Sequence, residues 1–230
     1  MGRIEQAQKE SRTSESDQIP QFQLSEKHLK NAKLIVDRQK LLRLLPKNAI
    51  VAEIGVDKGD FTAEIIEICQ PSKLHLIDMW GDKRYHEGKA LLVEDKFKDL
   101  IAQKKVEINR GFSTAELAKF PDNYFDWVYI DTDHSYQLTI EELKICNRIV
   151  KENGIIAGHD FVQGNWDGGV RYGVVEAVYQ LCVENDWEMV YTTTEPDHHR
   201  SFAIRKLVEV AKPVQSKRSD TVLTTVDDLA

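Results

Sequence analysis

Apolar and polar positions along the chain follow two alternating periods. Over 24–45, Leu34, Ile35, Leu41, Leu42 and Leu45 recur at helical spacing and Pro46 ends the run, which predicts an amphipathic leading helix. A compact apolar run over 49–54 then predicts a strand. Gly55 and Gly59 follow it, and Phe61, Ile65, Ile68 and Cys69 fall on one face of a helix. The same alternation continues, with strands predicted over 73–77, 106–110, 127–130 and 155–157, and helices over 91–102, 140–150 and 174–184. Strands separated by helices pair in parallel, because a crossover helix returns the chain to the same end of the sheet. The ending departs from this rule. Runs over 187–193 and 201–205 both read as strands, and the short Pro196-containing link between them can only make a hairpin. The pattern therefore predicts a doubly wound α/β sheet, mostly parallel, whose last strand is antiparallel.

Length and composition narrow this further. The chain has 230 residues, which suits one domain. Residues 1–21 contain few apolar groups, among them Met1, Ile4, Ala7 and Ile19, too few to offset the entropy of ordering the backbone. The stretch 212–230, with its Lys217-Arg218-Ser219-Asp220 run, reads the same way, so the expected folded domain is 22–211 between two disordered tails. Thirty-one Lys and Arg against 38 Asp and Glu leave a net charge of −7. That balance gives no support to a nucleic-acid surface, and the expected partner is a small molecule. No apolar run approaches membrane-spanning length, and the first twenty residues lack the apolar core of a secretory signal; a cytoplasmic location is expected. Cys69, Cys146 and Cys182 are odd in number and widely spaced, which reads as buried free thiols. Oligomeric state is left open.

The segment Glu53-Ile54-Gly55-Val56-Asp57-Lys58-Gly59-Asp60 carries the most chemistry. Ligands of doubly wound sheets sit beyond the carboxyl ends of the strands, where Gly55 permits a tight turn and close approach. A dinucleotide-binding turn places glycine where its pyrophosphate meets the helix start. Here Asp57 and Asp60 occupy that region and repel phosphate. A cationic cofactor with an amino-acid end is attracted instead, with Glu53 facing its ammonium or sulfonium side. Asp78 ends the next strand, where an acid accepts both ribose hydroxyls.

A second group of residues gathers at the next two strand ends. Asp131, Asp133 and His134 follow the 127–130 strand; His159 and Asp160 follow the 155–157 strand. Adjacent parallel strands deliver these groups to one rim, where carboxylates and imidazole can hold a divalent cation. A hydroxyl bound to such a cation becomes more acidic and so a better nucleophile.

On these residues, roughly from 47 to 205, the chain resembles the class I S-adenosylmethionine-dependent methyltransferases. The resemblance implies a Rossmann-like fold of seven strands with a C-terminal antiparallel hairpin strand. Glu53-x-Gly55-x-x-x-Gly59 looks like the first motif of that family, Asp78 like its ribose acid, and Ser113 like its adenine-edge residue; Asp131 falls beside the same cofactor. Asp131-x-x-His134 with His159-Asp160 is similar to a subgroup of metal-dependent sugar and macrolide-sugar O-methyltransferases. Carried over, Asp131 and Asp160 are metal ligands and His134 is the general base. His159 replaces a carboxylate, either pointing away or ligating, in which case it shifts preference from Mg²⁺ toward Mn²⁺, Fe²⁺ or Zn²⁺.

Two segments, 79–82 and 164–172, offer Trp80, Asn165, Trp166 and Arg171 as contacts for a polyhydroxylated acceptor, the second with glycines that suit a lid. His198 and His199 read as polar turn residues, and Lys83, Arg84 and His86 as surface charge. Other functions stay open. His134, His159 and Asp160 also form a two-histidine, one-carboxylate set of the kind an iron hydroxylase uses, and a non-catalytic cofactor-binding protein would keep the same pocket. An NAD-linked reductase ranks last because of Asp57 and the hairpin.

Overall fold

The computed structural model describes residues 19–165, 169–195 and 199–207. The predicted tails fall outside these residues, apart from 19–21. Eight strands form one sheet: β1 (Lys33–Ile35), β2 (Ile50–Ile54), β3 (Lys73–Asp78), β4 (Val106–Arg110), β5 (Phe125–Ile130), β6 (Val150–Gly158), and, after a two-stranded hairpin of β7 (Gly164–Asn165) and β8 (Val170–Arg171), β9 (Trp187–Thr193) and β10 (Phe202–Lys206). The spatial order is β1-β9-β10-β6-β5-β2-β3-β4. All pairings in this sheet are parallel except those of β10, which lies antiparallel between β9 and β6. The expected mostly parallel sheet with an antiparallel last strand is thus the fold observed, with one strand more than the seven expected.

The helices are α1 (Glu26–Leu29), α2 (Arg38–Leu44), α3 (Asp60–Cys69), α4 (Glu87–Lys96), α5 (Lys98–Ala102), α6 (Ser113–Leu117), α7 (Tyr136–Ile149) and α8 (Val174–Asn185). Each face of the sheet has its own core. On one side α7 and α8 bury Leu143, Cys146, Val178 and Leu181 against Val128, Ile156 and Phe202; on the other α2 and α3 bury Leu41, Leu42, Phe61 and Ile65 against Val51, Leu76 and Tyr129. Cys69, Cys146 and Cys182 are free and buried, as read from their spacing. Among the described residues no helix is long and apolar enough to cross a membrane.

The single leading helix predicted over 24–45 is instead α1, β1 and α2. The apolar spacing misled because Leu34 and Val36 do not share the buried face of Leu41, Leu42 and Leu45: they are 75% and 70% exposed. β-Branched Ile35 and Val36 favour extended backbone, and β1 adds itself in parallel to the edge of β9, Lys33 opposite Tyr191. Asp37 then starts α2 afresh, its Oδ1 accepting the Lys40 backbone N–H at 2.6 Å. The helix predicted over 91–102 likewise divides at Phe97 into α4 and α5.

Because β2 pairs with β3 on one side and β5 on the other, the chain reverses its winding direction between β2 and β5. A crevice opens beyond the carboxyl ends of strands at such a reversal, and the site occupies it.

Candidate functional site

Gly55 leaves β2 with φ +88°, and a Cβ there would sit 1.8 Å from the carbonyl oxygen of Asp131. Its glycine identity therefore lets the turns after β2 and β5 touch, with Asp131 N–H donating to Ile54 O at 2.7 Å and Gly55 N–H to Ile77 O at 2.9 Å. Gly59 begins α3 in the left-handed region, packed against the Phe97 ring, and does not line the cavity. The crevice has a volume of about 980 Å³, large enough for a nucleoside-sized ligand and a small acceptor. Eight Asp and Glu line it against four Lys and Arg.

Asp78 stands at the carboxyl end of β3 as expected. Its Oδ2 accepts the backbone N–H groups of Val56 (2.9 Å) and Asp57 (3.0 Å), and its Oδ1 that of Trp80 (2.9 Å). These bonds fix the carboxylate at the cavity wall and hold the turn after β2. Trp80 is not a stacking surface for acceptor: its indole is buried and donates to Asp57 O at 2.7 Å. Met79 and Phe112, both partly exposed, line the cavity on this side. Arg84, read from sequence as surface charge, also lines it.

Glu53 is only 1% exposed and accepts the Thr62 hydroxyl at 2.5 Å. Burial pushes its pKa up to about 8, against the opposing effect of that hydrogen bond. Ser113 lines the cavity, with its hydroxyl bonded to Glu142. Thr132 donates to both oxygens of the same buried carboxylate, at 3.0 and 2.8 Å. Burial raises Glu142 to about 7. A raised folded pKa means the folded state binds the proton more tightly than the unfolded chain, so stability falls as pH rises from the unfolded carboxylate range to about 7, by about 3 kcal/mol for Glu142. Glu142→Gln keeps the shape without a titrating group, and its urea midpoint is expected to decline less than that of the wild type between pH 5 and 7.5.

Asp131, His134, His159 and Asp160 converge on one rim of the cavity. Asp160 is almost fully buried, with left-handed backbone (φ 51°). Its Oδ2 lies 3.1 Å from His134 Nδ1 and 3.5 Å from His159 Nδ1; its Oδ1 lies 2.5 Å from His199 Nδ1. Desolvation works to raise the Asp160 pKa, but the His159 hydrogen bond and the His134 charge outweigh it and hold it down at about 2. His159 shifts the other way: desolvation lowers its pKa, yet Asp160 and Asp131 together raise it. Burial raises Asp131. His159 Nδ1 is 3.7 Å from Asp131 Oδ2, so His159 faces the acids rather than pointing away.

One donor atom each from Asp131, His159 and Asp160 lie within 4.8 Å of one another. That spacing and the mixed oxygen and nitrogen donors fit one divalent ion, with an imidazole favouring a borderline cation over Mg²⁺. His199, read from sequence as a turn residue, belongs to this group through Asp160. Its neighbour His198 and residues Trp166, Asp167 and Gly168 lie outside the described residues. The hairpin of β7 and β8 brings Asn165, Arg171 and Tyr172 to the cavity, with the Tyr172 and His134 rings 4.4 Å apart. Sequence periodicity gave no signal for His199 or for Arg38, which reaches the cavity from α2.

The fold places an acid-lined crevice at the switch point of a doubly wound sheet, where proteins of this architecture bind their ligands. Residues 52–161, from β2 to just past β6, match the model of a family described as a methyltransferase domain. The matched segment is just under half of the chain, and the fold around it is shared with solved structures designated methyltransferases. No curated protein matches the chain in sequence. Among similar solved structures is the pyocyanin biosynthetic protein PhzM (15% identity, TM-score 0.55, 73% of this chain and 53% of that one covered), of which the chain spans about half the length. A Klebsiella pneumoniae protein provisionally designated an O-methyltransferase is similar at 18% identity and TM-score 0.54, over 73% of this chain and 78% of that one. SMU.1697c from Streptococcus mutans, provisionally designated a methyltransferase and solved in complex with SAH, is similar at 14% identity and TM-score 0.54, over 74% and 96%.

Proposed function

We propose that the protein transfers the methyl group of S-adenosylmethionine to a hydroxyl of a small polyhydroxylated acceptor, such as a sugar or glycosylated natural product, with help from a divalent cation. The observation that carries this reading is the meeting of Asp131, His134, His159 and Asp160 on the rim beside Gly55. The designation of the similar Klebsiella protein as an O-methyltransferase supports the same direction.

In this reading Asp78 accepts the ribose hydroxyls, and Met79 and Phe112 offer apolar surface to the adenine. Asp131 and Glu53 face the cationic end of the donor, which supplies a methyl group on a sulfonium leaving group. Asp131, His159 and Asp160 would hold the cation, which when bound would supply Lewis-acid help in making an acceptor hydroxyl more acidic. His134, its Nδ1 held by Asp160, accepts the acceptor proton at Nε2 as the acceptor oxygen attacks the methyl carbon. The new C–O bond forms as the C–S bond breaks, in line. Asn165, Arg84 and Tyr172 surround the acceptor with hydrogen-bonding groups and one ring face.

The test is transfer of labelled methyl to a panel of sugars and glycosides before and after dialysis against EDTA. Dialysis is expected to lower the rate about 10- to 100-fold, and Mn²⁺ to restore it at least as well as Mg²⁺. Transfer that ignores EDTA removes the cation from the mechanism and leaves the His134–Asp160 pair as the base. Oxygen uptake by the Fe²⁺-loaded protein without methyl transfer supports the hydroxylase reading instead.

A further inference from the structure

We infer that Arg38, on a helix outside the matched methyltransferase domain, holds the carboxylate at the amino-acid end of the methyl donor. The inference rests on the donor assignment made above. That donor ends in an ammonium and a carboxylate, and a crevice lined mainly by acids recognises the first while repelling the second. A cation is therefore required near Glu53 and Asp131, where the positively charged side of the donor is drawn.

Four Lys and Arg line the cavity, and three are placed elsewhere. Lys58 pairs with Asp60 at 3.0 Å and is mostly exposed. Arg84 lies over the Tyr85 ring, 5.1 Å from its centroid, on the loop that follows β3. Arg171 is committed to Glu176 and to the carbonyls of Gln163 and Tyr172. Arg38 is different. Its guanidinium rests 4.6 Å from the centroid of the Phe61 ring, at the start of α3, and its charge acts on Glu53, Asp131 and His159 together. Among the described residues it takes part in no side-chain ion pair, unlike Lys58, Lys89 and Arg171 at the same cavity or its border. Its backbone is pinned, with the Arg38 N–H donating to Glu195 Oε1 at 2.6 Å, which ties α2 to the link between β9 and β10. A guanidinium seated over an aromatic ring can still turn its N–H edge to a carboxylate, which it receives through two parallel hydrogen bonds.

The experiment compares two ligands by isothermal titration: S-adenosylhomocysteine, which carries the amino-acid end, and 5′-methylthioadenosine, which has the same nucleoside and thioether without it. Arg38→Met is expected to weaken S-adenosylhomocysteine about 10- to 100-fold and to leave 5′-methylthioadenosine unchanged, with Arg38→Lys in between. Unchanged affinity for S-adenosylhomocysteine in Arg38→Met overturns the inference. So does an equal loss for both ligands, which is the signature of a residue that only supports the pocket. If the wild type binds neither ligand, the donor assignment fails, and the inference with it.

Discussion

Replacing Asp160 with alanine is expected to lower methyl transfer about 1000-fold or more while S-adenosylhomocysteine binding stays close to wild type. Among the described residues Asp160 is the one carboxylate paired with three imidazoles, those of His134, His159 and His199. Its removal takes away an ion ligand and frees the Nδ1 side of the proposed base in a single step. The loss belongs to kcat, because among the described residues the Asp160 carboxylate pairs with His134, His159 and His199, whereas Asp78 is the acid that holds the turn after β2. Asp160→Asn tests the charge alone. The amide keeps the volume in a site that is almost fully buried, yet it ligates a cation poorly and orients the imidazoles weakly. Steady-state kinetics beside titration of S-adenosylhomocysteine separate the two effects. An equal fall in binding and turnover moves Asp160 from the reaction to donor binding.

The parts legible in the sequence are those in which local pattern and tertiary environment agree. The 49–54 strand, Gly55 and the Phe61 to Cys69 helix face obey one period each, and they fold as β2, the turn and α3. Strand ends could be read because parallel strands deliver their last residues to one rim, which brought Asp78, Asp131, His134, His159 and Asp160 to the same cavity. What stayed hidden depends on partners distant in the chain. β1 exists because β9 offers an open edge, a fact absent from residues 33–35 themselves. His199 matters because β10 inserts beside β6 and carries the preceding link toward Asp160. Trp80 read as an exposed stacking ring, whereas the carbonyl of Asp57 draws its indole inward. Arg38 lies on a helix whose docking is set by Glu195, far along the chain. Residue type suggested chemistry in each case, but only contact decided its use.

Asp78→Ala is expected to weaken S-adenosylhomocysteine by about 100-fold or more, since two charge-assisted hydrogen bonds to ribose contribute roughly 1.5–3 kcal/mol each. The carboxylate has a second duty. It holds the N–H groups of Val56, Asp57 and Trp80, so the substitution also loosens the turn on which Gly55 brings β2 against Asp131. A plain loss of affinity therefore has two sources, and a ligand lacking one hydroxyl tells them apart. The wild type is expected to discriminate against the 2′-deoxy analogue of S-adenosylhomocysteine, because one carboxylate contact goes unused. Asp78→Ala, having no acceptor to lose, binds both forms alike. If discrimination survives in the variant, ribose is read by another group, and Asp78 acts only through the turn. If both ligands keep wild-type affinity, the acid at the end of β3 plays no part in donor binding, and the polarity assigned to the cavity, with nucleoside toward β3 and reaction toward β5 and β6, is reversed or wrong. Melting of the ligand-free variant supplies the independent measure: a turn that has lost three backbone hydrogen bonds lowers the midpoint whether or not donor is ever bound.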